Sequence, residues 1–302
     1  MIRYLNHHEI DFDKWDACVS NSETHSPYGI SDYLNITCPK FEALVLNDYE
    51  VVMPLTCSTK LGIHYLYQPY FTQQLGLFGN HISDKLVSDF LIDVPKKFKL
   101  IDIQIRNSIT SSLIDLKISN RMNCTINLNI SWEQLFSNLK SRRQREYKKA
   151  VSANYLLAES DDIEKLIFEF KKTLVFKNNP LKPKHLSILK NLLNANSNKF
   201  EARIFNVSDH QKKILATMIC VFTKKSITNI LNFRNEQTAN NGATTFLIAD
   251  ILKSNADKPL VFDFEGSSIA GVASFYQSFG AEVWQYKRVF ANRLPVGIKK
   301  LV

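Results

Sequence analysis

Apolar positions along the 302-residue chain fall into two kinds of run. Short stretches rich in β-branched and aromatic residues, "KFEALVLND" at 40–48, "YEVVMPLTCSTK", "GIHYLYQPY" and "KLIDIQI", read as strands. Stretches with helical spacing, "SDKLVSDFLIDV", "SWEQLFSNLKSRRQREYKKAV" and "ATTFLIADILKS", read as helices. The order then comes a second time. "KFEARIFNV" at 199–207 echoes 40–48, and "KKILATMICVFTK", "SITNILNFRN", "ATTFLIADILKS" and "PLVFDFE" follow as strand, strand, helix and strand. Each half is therefore expected to be an α/β (α+β) unit whose mixed, mostly antiparallel sheet is flanked by helices. The seam falls between the strand-like "NCTINLNI" and the helix opened by Ser131, with Gln134 completing a weak capping box. That gives domains 1–128 and 129–302.

Between Ala158 and Lys199 two helical stretches, "DDIEKLIFEFKKTLVF" and "KHLSILKNLLNAN", flank "KNNPLKP", whose prolines Pro180 and Pro183 break the pattern. This hairpin-like cap has no counterpart in the first half. It reads as a cover for the sheet or as a lid over a substrate.

Composition narrows the class. Hydrophobic residues make up 45% and charged residues 22%, as in folded domains with real cores. No run approaches the roughly 20 apolar residues of a membrane helix, and the N-terminus lacks a leader pattern, so no integral membrane segment and a cytoplasmic location are expected. Five cysteines form no C-x-x-C pair and seven histidines no H-x-x-x-H pair, so no metal site is expected. The net charge of +9 favours anionic ligands: nucleotides, coenzyme A, nucleic acid or lipid headgroups.

Three stretches could carry chemistry. In "PLVFDFEGSSIAGVASFYQSFGA", strand alternation puts Val261, Asp263 and Glu265 on one side, with both acids at the strand's carboxyl end, where open α/β sheets bind ligands. Gly266 permits a tight turn, and Ser267 or Ser268 can cap the next helix, so this is equally an ordinary strand-to-helix turn. In "NFRNEQTANNGATTFLIADIL", a strand ending at Arg234 enters a polar loop, and Gly242 and Ala243 open a helix whose N–H groups could meet a phosphate. In "LKSRRQREYKKA", Arg142, Arg145 and Lys149 share one helix face, either a solvated surface or a phosphate grip.

Taken in order, these stretches make the second half resemble a GNAT-type acyltransferase domain. The whole chain resembles two such domains in tandem, as in the Fem family of peptidoglycan-bridge aminoacyltransferases. The resemblance rests on "RRQREYKKA", "FDFEGS", "FYQSFGAEVWQYKRV" at 275–289 and "YQPYFTQQLG" at 67–76. It implies that an activated acyl group passes from acyl-coenzyme A or an aminoacyl-tRNA to an amine, a small molecule's or a peptidoglycan precursor's, in a cleft mostly of the second half. The first half would be a degenerate partner. Asp263 or Glu265 would accept the proton or orient the amine, and Tyr286 or Lys287 would bind the acyl carbonyl. Arg142, Arg145 and Arg234 would hold phosphates beside the backbone of Asn240, Asn241, Gly242 and Ala243. In the glycine-rich loop of GNAT enzymes the nearest match starts at Gln237, with Asn240 in place of the first glycine. The rival expectation is a non-catalytic nucleotide- or RNA-binding protein that keeps the fold.

Overall fold

The computed structural model describes residues 1–24, 26–109, 116–178, 180–235, 242–266 and 270–295. The chain divides into two compact units, Met1–Met122 with Gln285–Val302, and Asn123–Trp284. In the first unit, β1 (Ile2–Leu5), α1 (Phe12–Asn21), α2 (Ser31–Thr37), β2 (Glu42–Leu46), β3 (Val51–Leu55), β4 (Cys57–Lys60), β5 (Ile63–Tyr67), β6 (Phe78–Gly79), α3 (Asp84–Ile92) and β7 (Phe98–Ile105) precede β8 (Lys117–Asn127), along which the chain enters the second unit. There follow α4 (Trp132–Asn138), α5 (Ser141–Ser152), β9 (Leu156–Ser160), α6 (Ile163–Lys172), α7 (Leu174–Asn178), α8 (Pro183–Leu193), β10 (Glu201–Ser208), β11 (Ile214–Phe222), β12 (Ser226–Arg234), α9 (Ala243–Ser254), β13 (Val261–Asp263) and α10 (Ala270–Gln277). The chain re-enters the first unit along β14 (Glu282–Asn292).

In the first unit β1, β2, β3 and β6 form an antiparallel sheet, while β5 pairs with β4 antiparallel and with β7 parallel through the crossover helix α3. The stretch "YEVVMPLTCSTK", which reads as one strand, is split at Thr56 between the two sheets. Burial explains the split: Val51–Leu55 is buried throughout, whereas Cys57–Lys60 runs out to solvent. Thr56 turns the corner by donating its hydroxyl to the Tyr67 carbonyl at 2.6 Å. β14 lies antiparallel on β7, placing Val289 opposite Ile103 in a core that includes Met53, Leu66, Phe90 and Phe98.

The second unit repeats this order of pairings. β9, β10, β11 and β12 are antiparallel neighbours, β12 pairs parallel with β13 through α9, and β13 pairs antiparallel with residues 125–127 of β8. The long helix expected from Ser131 is two helices. Ser131 and Gln134 form the capping box of α4, but Leu139 and Lys140 break the helix. Leu139 is pulled into the core, the Lys140 N–H donates to the Ser278 carbonyl, and the Gln144 amide donates to the Leu139 carbonyl and, beside the Leu139 N–H, to that of Phe136. α5 then packs on α9, where Tyr147 stacks on Phe246 at 5.6 Å and its hydroxyl donates to Asp250.

Candidate functional site

The second unit has a place where its sheet opens. β12 pairs with β13 only over Ser226–Thr228, then runs on to Arg234 with β11 alone as its strand neighbour among the described residues. The register between β11 and β12 shifts there, Ile219 facing Leu231 and Cys220 facing Asn229, so Ile230 is the extra residue of a bulge. A bulge bends its strand and re-aims the side chains beside it. Thr228 and Asn229, at this point, each bury a side-chain oxygen with no hydrogen-bond partner.

β13 ends at the same level in a strained turn. Phe262 and Phe264 stay in the core, with Phe264 stacked on Tyr276 at 4.7 Å and its N–H on the Cys124 carbonyl. Glu265 then takes φ +53, a left-handed conformation that costs a non-glycine residue about 1 kcal/mol or more. The turn is held from two sides. Asp263 Oδ1 accepts from the Glu265 N–H at 2.8 Å and from the Asn123 amide at 2.9 Å, while Asn123 Oδ1 accepts from the Gly266 N–H at 2.5 Å. Glu265 Oε1 is buried without a hydrogen-bond partner, and burial pushes its carboxyl up to about 8. The Tyr276 hydroxyl accepts from Asn232 Nδ2 at 3.2 Å, and burial first, then the Glu265 carboxylate among its neighbours, raises its pKa so that it stays protonated.

A cleft of about 390 Å³ opens at the start of α9. Lys140, Arg142, Arg143 and Arg234 line it with residues 242–245. Gly242 has φ +82, and a Cβ there would lie 3.1 Å from the Glu146 carbonyl, so the helix start needs glycine both for its backbone and for its approach to α5. Arg143 is only 8% exposed. It pairs with Glu146 at 2.6 Å, donates to Thr245 Oγ1 at 2.8 Å and lies over the Phe275 ring at 4.9 Å. The Thr245 hydroxyl donates to Glu146 at 2.6 Å, so the guanidinium is held through Nη1 while its Nε is buried without a partner, and burial lowers its pKa. Four cations and the N-terminus of a twelve-residue helix suit a phosphate-bearing carrier.

The structure brings Asp263 and Glu265 together in one turn, and Arg142, Arg234, Gly242 and Ala243 around one cleft. Arg145 is exposed and does not line that cleft. Tyr286 and Lys287 belong to the first unit, where Tyr286 is buried and Lys287 donates to Asn120 at 2.7 Å. Gln237, Asn240, Asn241, Ser267 and Ser268 lie outside the described residues. Sequence reasoning missed Arg143, although Arg143, Tyr147 and Ala150 stand at i, i+4 and i+7 on the buried face of α5. Asn123, Asn229, Asn232 and Tyr276 were missed too, being contributed by three separate elements.

No protein-family model matches the chain, and no curated protein matches it. Among solved structures it is similar to FemX (TM-score 0.69, 10% identity, 99% of each chain covered). It is similar to L-PGS from Bacillus licheniformis (TM-score 0.55, 10% identity, covering 96% of this chain and 94% of that one). It is also similar to a C-terminal domain from Agrobacterium fabrum classed as lysylphosphatidylglycerol synthetase (TM-score 0.55, 11% identity, with 96% and 94% covered). The chain therefore shares the fold of FemX along nearly its whole length.

Proposed function

We propose that the second unit transfers an activated acyl or aminoacyl group to an amine, with Glu265 as proton acceptor. The observation that carries this reading is the Glu265 carboxyl: held in a strained turn, buried without a partner, raised to about 8, and placed where β12 and β13 part. A carboxyl tuned to that range is mostly protonated at neutral pH, but its ionised form takes a proton far better than an ordinary carboxylate because its conjugate acid is weaker, so transfer should rise with pH towards about 8. In the transfer, the amine nitrogen bonds to the acyl carbon and that carbon's bond to the carrier sulfur or oxygen breaks. Glu265 takes the amine proton, and the protonated Tyr276 hydroxyl supplies one to the leaving atom.

The basic cleft at α9 would hold the carrier's phosphates through Arg142, Arg143 and Arg234. Asp263 would position Glu265, since its oxygen holds the Glu265 N–H. Tyr286 and Lys287 stand in the first unit and take no part in this proposal. The acceptor expected from the Fem resemblance is an amine of a cell-envelope precursor. The rival reading, a binding protein without catalysis, gives no account of a strained turn that presents an unpaired carboxyl.

The donor is tested by thermal shift, since a ligand that binds only the native state raises its melting temperature. Saturable stabilisation by coenzyme A that weakens in Arg143→Met supports a thioester donor. Stabilisation by aminoacyl-tRNA alone supports an RNA-borne one, and no response to either at millimolar ligand contradicts the donor site.

A further inference from the structure

The cap between β9 and β10 has an outer face that the fold does not use. In α6, Leu166, Ile167 and Phe170 are buried, and Phe170 packs on Phe233 at 5.2 Å and on Phe176 at 5.4 Å, so the inner side is complete. Phe168, Leu174 and Val175 point away from that core and are 61%, 51% and 51% exposed. Among the described residues, three of the ten exposed large hydrophobic side chains thus fall within one eight-residue stretch, which separates a patch from ordinary scatter.

The same stretch is ringed by lysines. Lys171 and Lys172 stand in it and Lys165 and Lys177 flank it, against Glu164 and Glu169. Glu164 is paired by Lys190 and Glu169 by Lys172, whose ammonium lies 3.6 Å from the Phe168 ring centroid. Behind the patch, a groove of about 660 Å³ is lined by Lys165, Lys172 and Lys177 on one side and by Lys212, Lys213 and Arg234 on the other. Arg234 also lines the basic cleft at α9.

We propose that the α6–α7 face docks on the surface of an anionic lipid bilayer, with Phe168, Leu174 and Val175 entering the headgroup boundary and the surrounding lysines meeting lipid phosphates. Exposed apolar side chains close together along two short consecutive helices and flanked by lysines are what an interfacial anchor requires. RNA would use the same lysines and could stack on Phe168. It has no use for two exposed aliphatic side chains, which is why the bilayer is favoured. The docking does not depend on which donor the cleft at α9 accepts.

Vesicle flotation tests this with the full chain, comparing phosphatidylcholine vesicles with vesicles of phosphatidylcholine and phosphatidylglycerol. Wild type is expected to float with the mixed vesicles and scarcely with phosphatidylcholine alone. Phe168→Ser with Val175→Ser should lower the partition about tenfold or more at unchanged melting temperature, because neither side chain is in the core. Lys171→Glu with Lys177→Glu should lower it about as far by a separate route. No flotation of wild type at low salt overturns the proposal. So does flotation that survives Phe168→Ser with Val175→Ser while single-stranded RNA competes it away, which would assign the lysines to RNA.

Discussion

The two units share one order of strands and differ in what stands at the edge of the parallel pair. In the first unit, β5 pairs with β7 up to Tyr67–Asp102, and the chain then closes the opening itself. Gln68 Oε1 accepts the Gln104 N–H at 2.8 Å, while Leu75 bridges on to β7 through the Gln104 carbonyl and the Arg106 N–H. In the second unit, β12 and β13 part after Thr228–Asp263, and the groups gathered there keep buried polar atoms unpaired: Thr228 Oγ1, Asn229 Oδ1 and Glu265 Oε1. Leaving such atoms unmade costs about 1–3 kcal/mol each. Buried unpaired oxygens occur at both edges, with Thr72 Oγ1 and Gln74 Oε1 in the segment that fills the first, but among the described residues a carboxyl oxygen is left so only at the second, where a reacting group would complete it.

The comparison breaks most visibly at Glu265. Glu265→Gln should lower transfer about 10²–10⁴-fold, read as initial rate with the donor that the thermal-shift titration selects. Its effect on stability has the opposite sign. The folded-state pKa of Glu265 lies above that of an ordinary glutamate, at about 8, so the folded protein holds a proton that the unfolded chain has released. The stabilisation from that proton is complete below the ordinary glutamate pKa and is lost as pH rises towards 8. Glu265→Gln should therefore match wild type in denaturant at pH 5 and exceed it at pH 9, by about 2–4 kcal/mol. Equal stability at both pH values would return Glu265 to the class of ordinary carboxylates.

Next in size is Arg143. Arg143→Met leaves Glu146 without its buried partner and should cost about 2–4 kcal/mol in denaturant unfolding, with weaker donor binding. In the first unit, Gln68→Ala removes the acceptor of one edge N–H and should cost about 1–2 kcal/mol while leaving transfer unchanged. A loss of transfer in that variant would make the first unit part of the reaction centre. Smallest is Arg145→Ala, which should stay within about 0.5 kcal/mol of wild type and leave donor affinity intact, since Arg145 is exposed and does not line the cleft.

What was legible in the sequence follows from the reach of each signal. Alternation in "PLVFDFE" separates Asp263 and Glu265 from Phe262 and Phe264, which lie in the core, because a strand's side-chain period is local. It could not show that Glu265 leaves the strand through a left-handed turn, since that depends on Asn123, some 140 residues away in sequence, holding Asp263 and Gly266. Helical spacing over "SWEQLFSNLKSRRQREYKKAV" groups Trp132, Leu135, Phe136 and Leu139 on one stripe, of which Leu135 and Leu139 are buried and Trp132 and Phe136 half-buried, but it does not show the break at Leu139 and Lys140, which Ser278 and Gln144 stabilise from outside the local pattern. The arginines show the same limit. Charge clustering pointed to Arg142 and Arg145, while the side chain fixed in the cleft is Arg143, whose partners Thr245 and Phe275 come from α9 and α10.

The most direct test is a titration of the Glu265 carboxyl carbon by nuclear magnetic resonance, with glutamate labelled at that carbon and Glu265→Gln used for assignment. The account predicts a midpoint about 8, where burial without a partner puts it. A midpoint in the ordinary glutamate range would mean that the carboxylate is solvated or paired in solution, and Glu265 would lose its place as proton acceptor.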